Sequence, residues 1–399
     1  MKKATQCVYL DKSDQFGSIS PPIYQTATFA QTSATEFGEY DYSRSGNPTR
    51  TMLEKKLADL EHGQFASAFS SGMAAISAVT RLLESGDEIV AGNDLYGGCV
   101  RLLEKIAPRQ GISVRYVDTS DTDAVIDAFS SNTKLLLVET PTNPFLRISD
   151  IQVLSNETKA RGIVLVVDNS MLSPCLQNPL GLGADIVIHS GTKFLCGHSD
   201  VTAGVAVTNN EELHKKIAFV QNAEGTALAP FDCWLLFRGI KTLALRVKHQ
   251  SDSALQVAEY LSKQSEVKAV YYPGLEDHVG HEVHLSQSTG GGSVISFTTG
   301  DVDISRRIVE ASELFSIAVS FGSVNSTISM PCYMSHASVP ETMREQLAPP
   351  PDLIRLSVGI EDIEDVFGEL DRIITIGFSD SKPRTSAAVA SNGPVFETI

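Results

Sequence analysis

Cysteine is scarce in this sequence, and long hydrophobic runs are absent. Six cysteines are scattered over 399 residues, and no two form a CxxC pair. In a chain of this size that distribution predicts free thiols in a reducing compartment. No apolar run approaches the roughly 20 residues of a membrane-spanning helix, and the basic start, MKK, has no apolar stretch behind it. We therefore expect no secretory signal and a cytoplasmic location, or the plastid stroma if the chain is a processed form.

Basic residues are outnumbered by acidic ones. The chain has 32 Lys and Arg residues against 48 Asp and Glu residues, a formal net charge of −16. Because such a protein is repelled by a phosphate backbone, we expect no nucleic-acid partner. With 42% hydrophobic and 20% charged residues, the composition is typical of a soluble globular protein. The length predicts two or three domains.

The hydrophobic pattern divides the chain into four predicted parts. Residues 1–47 are rich in Thr, Ser, Tyr, Gly and Pro and predict an extended arm that reaches a neighbouring subunit. Residues 48–241 alternate helical stretches with short apolar runs, which predicts a large α/β domain with a mostly parallel sheet. A smaller α/β domain follows over 242–378, and 379–399 predict a disordered tail. The strands predicted in the large domain are 88–91, 134–139, 162–168 and 185–189.

A lysine follows the last of these predicted strands. The stretch DIVIHSGTK (185–193) is an apolar strand that runs into a Ser-Gly-Thr turn presenting Lys193. Burial lowers the pKa of a lysine, and its neutral amine forms Schiff bases with carbonyl groups. A lysine after a strand is more often a plain surface residue. Here Ser190 and Thr192 on the same turn could hold a phosphate, which favours a cofactor site.

Three further patterns admit both a functional and a structural interpretation. Asp168 ends the apolar stretch VLVVDN (164–169), where it either pairs with a protonated pyridine nitrogen or caps the next turn. The stretch SSGMAA (70–75) opens an apolar helix and is either a phosphate site or an ordinary N-cap. Tyr96, in DLYGG (94–98), either stacks on a flat cofactor or packs in the protein. The residues alone leave these alternatives open.

Longer strings carry a more specific resemblance. From about residue 5 to residue 378 the chain resembles the cystathionine-lyase branch of the Cys/Met-metabolism enzymes that use pyridoxal 5'-phosphate (PLP), and especially the plant-type cystathionine β-lyases. The resemblance implies the α/β fold of type I PLP-dependent transferases (aspartate aminotransferase-like) and a homotetramer of paired active dimers. It rests on YSRSGNPTR (42–50), ETPTNP (139–144), VVDNS (166–170), HSGTKFLCGHSD (189–200), NAEGTALAPFDCWLLFRGIKTLALR (222–246) and AVSFGSVNSTISMPCYMSHAS (318–338).

The same resemblance implies roles for individual residues. Lys193 would carry PLP and shuttle the proton, Asp168 would pair with the pyridine nitrogen, and Tyr96 would stack on the ring. Arg355 would bind the substrate α-carboxylate with help from the backbone near Ser320, and the guanidinium fork suits that task. Asn143 would bind the ring hydroxyl and contact the substrate. The phosphate would be held by Gly72, Met73, Ser190 and Thr192, and by Tyr42 and Arg44 of the neighbouring subunit. Tyr42 and Tyr96 would be catalytic residues together with Lys193.

Two positions favour one reaction within the resembled family. The γ-cleaving cystathionine lyases carry a Glu where this chain has Val319, and the methionine γ-lyases carry a Cys where it has Gly98. Both departures favour β-elimination, which converts L-cystathionine to L-homocysteine, pyruvate and ammonia in methionine biosynthesis. The alternatives are cystathionine γ-lyase, methionine γ-lyase or cystathionine γ-synthase, and, more remotely, a catalytically silent PLP-binding regulatory protein.

A histidine-rich stretch offers a competing signal. DHVGHEVH (277–284) places His278, His281 and His284 three residues apart, a spacing compatible with a metal site. Gly280 interrupts the stretch, which follows a Pro-Gly turn, and the resembled family has a loop here without a metal role. We therefore predict structural histidines and no metal.

Overall fold

The computed structural model describes residues 1–10, 14–335 and 348–379. Within them, helices pack against two β-sheets, one of seven strands and one of five. The predicted α/β class is therefore confirmed. The predicted tail lies outside the described residues except for Ser379.

The larger sheet contains the four strands predicted from sequence and three more. Its members are β1 (Phe65–Phe69), β2 (Glu88–Gly92), β3 (Ser113–Val117), β4 (Thr133–Glu139), β5 (Val164–Asp168), β6 (Ile186–Ser190) and β7 (Gly204–Thr208). Their order in space is β1-β7-β6-β5-β4-β2-β3. Only β7 departs from the parallel arrangement, since it runs antiparallel to both β1 and β6. A mostly parallel sheet is thus confirmed.

Helices cover both faces of the larger sheet, so successive residues of its central strands face two different cores. Leu136 and Leu165 belong to one hydrophobic cluster, whereas Leu137 and Val166 belong to the other. This burial on both faces explains why the central strands are continuous apolar runs. The helices up to the connecting segment are α1 (Lys3–Val8), α2 (Pro48–Glu61), α3 (Gly72–Thr80), α4 (Gly97–Lys105), α5 (Thr122–Ala128), α6 (Ile151–Arg161), α7 (Ser173–Leu176), α8 (Glu211–Glu224) and α9 (Pro230–Ile240).

The smaller sheet follows the long helix α10 (Leu243–Ser262). Its strands are β8 (Ala269–Tyr271), β9 (Val294–Thr298), β10 (Ser316–Ile317), β11 (Thr327–Ser329) and β12 (Leu353–Ser357), in the order β10-β11-β12-β9-β8. A third hydrophobic cluster joins this sheet to α10 and to two amphipathic helices. The remaining helices are α11 (His281–Gln287), α12 (Val302–Glu310) and α13 (Ile363–Phe378).

Two features differ from the sequence-based expectation. Residues 1–47 are not extended throughout, because α1 lies within them and buries Cys7 against the large-domain core. The strands β1, β3 and β7 were not predicted; β3 is an edge strand whose residues are exposed or half-buried, so it lacks an apolar run. The division at residues 47 and 241 stays a prediction. Within the three described ranges, no helix is long and apolar enough to cross a membrane.

Candidate active site

The carboxyl ends of neighbouring parallel strands bring the predicted residues together. Glu139 ends β4, Asp168 ends β5 and Ser190 ends β6. Ligands of open α/β sheets bind at this edge, and a cavity of about 640 Å³ opens here. Its lining includes the predicted Gly72, Met73, Tyr96, Asn143, Asp168, Ser190, Thr192, Lys193, Ser320 and Arg355, together with Arg101, Glu139, Val319 and Phe321.

Lys193 lies in the turn after β6 with its amine inside the cavity. Its backbone N–H donates to the Ser190 carbonyl at 3.1 Å, and its Nζ donates to Ser320 Oγ. The amine lies 4.7 Å from the centroid of the Phe321 ring. Burial, with a smaller contribution from Arg355, lowers the pKa of Lys193 to about 7. A substantial fraction of this amine is therefore neutral and nucleophilic near neutral pH.

Asp168 is a half-buried residue whose carboxyl group lies at the centre of the sheet edge. Its Oδ1 accepts the backbone N–H of Ser170 at 2.9 Å. Burial raises the pKa of Asp168, while hydrogen bonds from Ser170 oppose that rise. A cation brought into contact with this carboxylate would be bound strongly, because little water competes for it.

The start of α3 forms one wall of the cavity. Ser71 caps the helix, its Oγ accepting the N–H of Ala74 at 3.1 Å. At Gly72 an added Cβ would lie only 3.1 Å from the Ser190 Cβ, so glycine keeps this space open. Thr192 Oγ1 accepts the N–H of Ala203 at 3.0 Å, which fixes its side chain. Backbone N–H groups and the positive end of the helix dipole at a helix start make this wall suited to a phosphate.

Arg355 reaches the cavity from β12 of the smaller sheet. Its Nη1 donates to Asn143 Oδ1 at 2.9 Å and its Nη2 donates to the Ser320 carbonyl at 2.7 Å. Burial lowers its pKa to about 10, so the guanidinium stays charged at neutral pH. Ser320 has φ 82°, a left-handed conformation that costs a serine about 1 kcal/mol or more. The bond to its carbonyl helps to hold that conformation.

Tyr42 and Arg44 do not line this cavity within one chain. Both are exposed, and the Arg44 guanidinium lies 5.3 Å from the centroid of the Tyr42 ring. Arg44 Nε donates to Asn222 Oδ1 at 3.1 Å. Their predicted contact with a neighbouring subunit's phosphate stays a prediction.

Sequence reasoning gave no role to several residues of the cavity. Glu139 is buried, and Arg101 lies on α4 one turn after Tyr96. Glu139 was within the quoted string ETPTNP and ends a predicted strand beside Asp168. That position was the available signal, since carboxyl ends of adjacent parallel strands share one edge.

The three histidines lie away from the cavity and bind backbone carbonyls. His278 Nε2 donates to Leu146 at 2.9 Å, His281 Nδ1 to Pro273 at 2.9 Å, and His284 Nε2 to Gly290 at 3.0 Å. These bonds give each ring a structural role. Among the residues that the structure describes, no group of three metal-ligating side chains was found.

The residues of the cavity fit three polar groups of PLP. A neutral lysine amine suits the aldehyde, a buried carboxylate suits a protonated pyridine nitrogen, and the open start of α3 suits the phosphate. Fold and site together define a PLP-dependent enzyme with an aspartate-aminotransferase-like fold, and PLP is its cofactor.

Comparison with known proteins specifies the family. The sequence model described as "Cys/Met metabolism PLP-dependent enzyme" matches residues 4–374, and the chain belongs to that family. It is 55% identical over 369 residues to "Cystathionine beta-lyase, chloroplastic" of Arabidopsis thaliana, covering 92% of this chain and 80% of the relative. It is 50% identical over 373 residues to "Cystathionine beta-lyase" of Neurospora crassa, covering 93% and 81%. The crystal structure of cystathionine gamma-lyase from Lactobacillus plantarum complexed with L-serine superposes with a TM-score of 0.92 at 41% identity, covering 94% of this chain and 99% of that one.

Proposed function

We propose that this protein is a cystathionine β-lyase, a carbon–sulfur lyase that converts L-cystathionine to L-homocysteine, pyruvate and ammonia. The observation that carries the choice of bond is Val319, which lines the cavity directly before Ser320. An enzyme that cleaves the Cγ–S bond would bind cystathionine better with a carboxylate at this position, because the carboxylate could bind the distal ammonium group. A valine offers no such group. The relatives named cystathionine β-lyase, at 50–55% identity, support the same choice.

Seven residues of the cavity then have a task toward PLP. Asp168 would hold the pyridine nitrogen in its protonated form, and Tyr96 would contact the ring. Asn143 binds the ring hydroxyl. The start of α3, with Gly72 and Met73, holds the phosphate together with Ser190 and Thr192. When bound, PLP supplies an electron sink for the pair left on Cα of the substrate.

Lys193 moves the proton. Its lowered pKa leaves the amine neutral and able to take the Cα proton at Nζ. Ser320 Oγ accepts from that Nζ and keeps it directed into the cavity. The protonated Nζ is then positioned to return a proton as the homocysteine sulfur leaves from Cβ.

Arg355 orients the substrate. The Asn143 and Ser320 oxygens hold its guanidinium in place, and the remaining N–H groups are positioned for the α-carboxylate. Charge-assisted bonds of this kind are about twice as strong as neutral ones. The substrate is thereby fixed with Cα near Lys193, which gives the amine a defined proton to remove.

The assembly belongs to the same proposal. Tyr42 and Arg44 hold the phosphate of the neighbouring subunit, in a homotetramer of paired active dimers. We place the arm at residues 1–47, the PLP-binding domain at 48–241 and the small domain at 242–378. The protein acts in the cytoplasm, or in the plastid stroma, as the "chloroplastic" in the name of the Arabidopsis relative suggests for a processed form.

The experiment that tests the proposed reaction identifies the 2-oxo acid made from L-cystathionine. Pyruvate, with homocysteine in equal amount, is the expected product after derivatisation and chromatography. Dominant 2-oxobutyrate with cysteine would instead assign γ-elimination. No turnover by PLP-loaded protein would assign a binding or regulatory role.

A further inference from the structure

Glu139 is a buried carboxyl group in the cavity that has no task in the proposed mechanism. It ends β4, and its register partner on the neighbouring parallel strand is Asp168. Register partners carry their side chains to the same face on strands about 5 Å apart. Two carboxyl groups therefore face the cavity side by side, and Asp94, after β2, acts on Glu139 from the other side.

The hydrogen-bond donors are unequally shared between the two carboxyl groups. Asp168 accepts the backbone N–H of Ser170 at 2.9 Å, and the Ser170 hydroxyl also lowers the pKa of Asp168, whereas the backbone N–H of Tyr96 lowers the pKa of Glu139. Two adjacent buried carboxylates cannot both stay ionised at low cost, and the one with fewer donors takes the proton.

The acidic groups around Glu139 also favour a proton on Glu139 and the negative charge on Asp168. Burial raises the pKa of Glu139 well above its ordinary value, and Asp168 and then Asp94 raise it further. Lys193 lies near both carboxyl groups and opposes the rise in pKa at each, and the Arg355 guanidinium also faces Glu139. The titratable groups that face Glu139 are Asp94, Cys99, Asp168, Lys193 and Arg355.

We infer that Glu139 is a positioning residue of the cofactor site: as a neutral acid it holds the backbone of Tyr96 and leaves the negative charge of the pair on Asp168. Tyr96 precedes α4 as its N-cap residue and makes no side-chain capping bond. Glu139 therefore anchors the tyrosine whose ring lies along the cavity. The inference rests on the proposed roles of Tyr96 and Asp168.

Two substitutions separate the two parts of this inference. Glu139→Gln keeps an acceptor for the Tyr96 N–H and imitates a neutral acid, so it should preserve PLP affinity of the apoenzyme, kcat/KM and the pH titration of the bound cofactor's absorption band. Glu139→Leu removes the acceptor and leaves a buried N–H unpaired. Its apoenzyme should bind PLP about tenfold more weakly, and its kcat should fall with the displaced Tyr96.

A matched control is a half-buried glutamate outside the cavity, Glu54. Glu54 accepts the N–H of Ala68 at 2.8 Å, and burial raises its pKa to about 7. Glu54→Leu should lower Tm while leaving PLP affinity and the absorption titration unchanged. Glu139→Ala repeats the acceptor removal with a smaller side chain if the leucine variant does not fold.

Two results would overturn the inference. A shift of the absorption titration by a full pH unit in Glu139→Gln would mean that Glu139 acts as an ionised group. Unchanged PLP affinity in Glu139→Leu would mean that it does not position the site. Failure of the underlying proposal is read separately, from Asp168→Asn: if that change leaves the absorption titration unmoved, the role of Asp168 is wrong whatever Glu139 does.

Discussion

Arg355 donates to Asn143 at 2.9 Å across 212 positions of the sequence, and both residues line the cavity. Arg355 lies on β12 of the smaller sheet, and Asn143 follows β4 of the larger one. The carboxylate site is thus completed only when the two sheets are in place. A change that disturbs the contact between the sheets should therefore weaken binding of the substrate carboxylate by both residues.

The role of Arg355 can be tested by removing its guanidinium group. Arg355→Ala should raise KM for amino-acid substrates about 10- to 150-fold, because a hydrogen bond to a charged group is worth about 1.5–3 kcal/mol. PLP content should change little, since the guanidinium meets the substrate. Steady-state kinetics with absorption of the bound cofactor measures both, and Arg355→Lys, which keeps the charge without the fork, should lie between.

An Arg355→Ala protein that purifies without PLP would contradict this role. Such a result would make Arg355 a cofactor or structural residue, joined to the site through Asn143 and Ser320.

Lys193 should carry PLP covalently. Lys193→Ala should lose the covalent bond that borohydride reduces, and kcat should fall by at least about 100- to 10,000-fold, the contribution of a positioned proton shuttle. Peptide mapping after reduction should find the pyridoxyl group on residue 193. Lys241→Ala, a change outside the cavity lining, serves as the control and should keep both properties.

The lowered pKa of Lys193 predicts how the apoenzyme depends on pH. Only the neutral amine attacks an aldehyde, so the rate of PLP rebinding should rise with pH and have its midpoint near the pKa of about 7. Stopped-flow absorption measures this rate. A rate that is flat with pH, or that falls as the pH rises, would contradict a lowered lysine pKa.

The same group makes stability depend on pH with a defined sign. The pKa of Lys193 is about 7 in the folded apoenzyme and about 10.4 in the unfolded chain. Between these two pH values the unfolded chain binds more protons at this lysine than the folded protein does. Its contribution to the free energy of unfolding therefore rises with pH across that window. Urea titrations of the apoenzyme should show a slope that Lys193→Ala lacks.

Val319→Glu should redirect part of the reaction. A carboxylate at this place could bind the distal ammonium of cystathionine, an interaction worth about 1.5–3 kcal/mol and hence about 10- to 150-fold in product ratio. The variant should make measurable 2-oxobutyrate beside pyruvate, and Val319→Gln, which is similar in size and uncharged, should not. An unchanged product ratio would mean that Val319 does not select the bond.

Subunit complementation tests Tyr42 and Arg44 in trans. Lys193→Ala and Arg44→Ala, each nearly inactive alone, should regain activity when co-expressed, because a hybrid dimer has one site with both residues intact. Random pairing makes about half of the dimers hybrid, so roughly a quarter of the sites should work. Hybrids that form and yet stay inactive would place Arg44 in its own chain's site or outside any site.

The sequence by itself determined the central sheet and the chemistry of the turn that follows it. The strands β2, β4, β5 and β6 were predictable because burial on both faces requires apolar runs, and Lys193, Asp168 and Ser190 follow from where those runs end. The edge strand β3 and the short helix α1 were not, since neither carries a local hydrophobic pattern strong enough to detect. Those elements are stabilised by contacts with distant parts of the chain.

Only the tertiary structure decided how the charges of the site are arranged. It brings Arg355 to Asn143 and Glu139 beside Asp168, pairs separated in the sequence but adjacent in space. It also lowers the pKa of Lys193, chiefly by burial and then by the nearby Arg355. Desolvation and Coulomb interactions depend on distance in space and on exclusion of water, and neither quantity exists until both sheets have folded around the cavity.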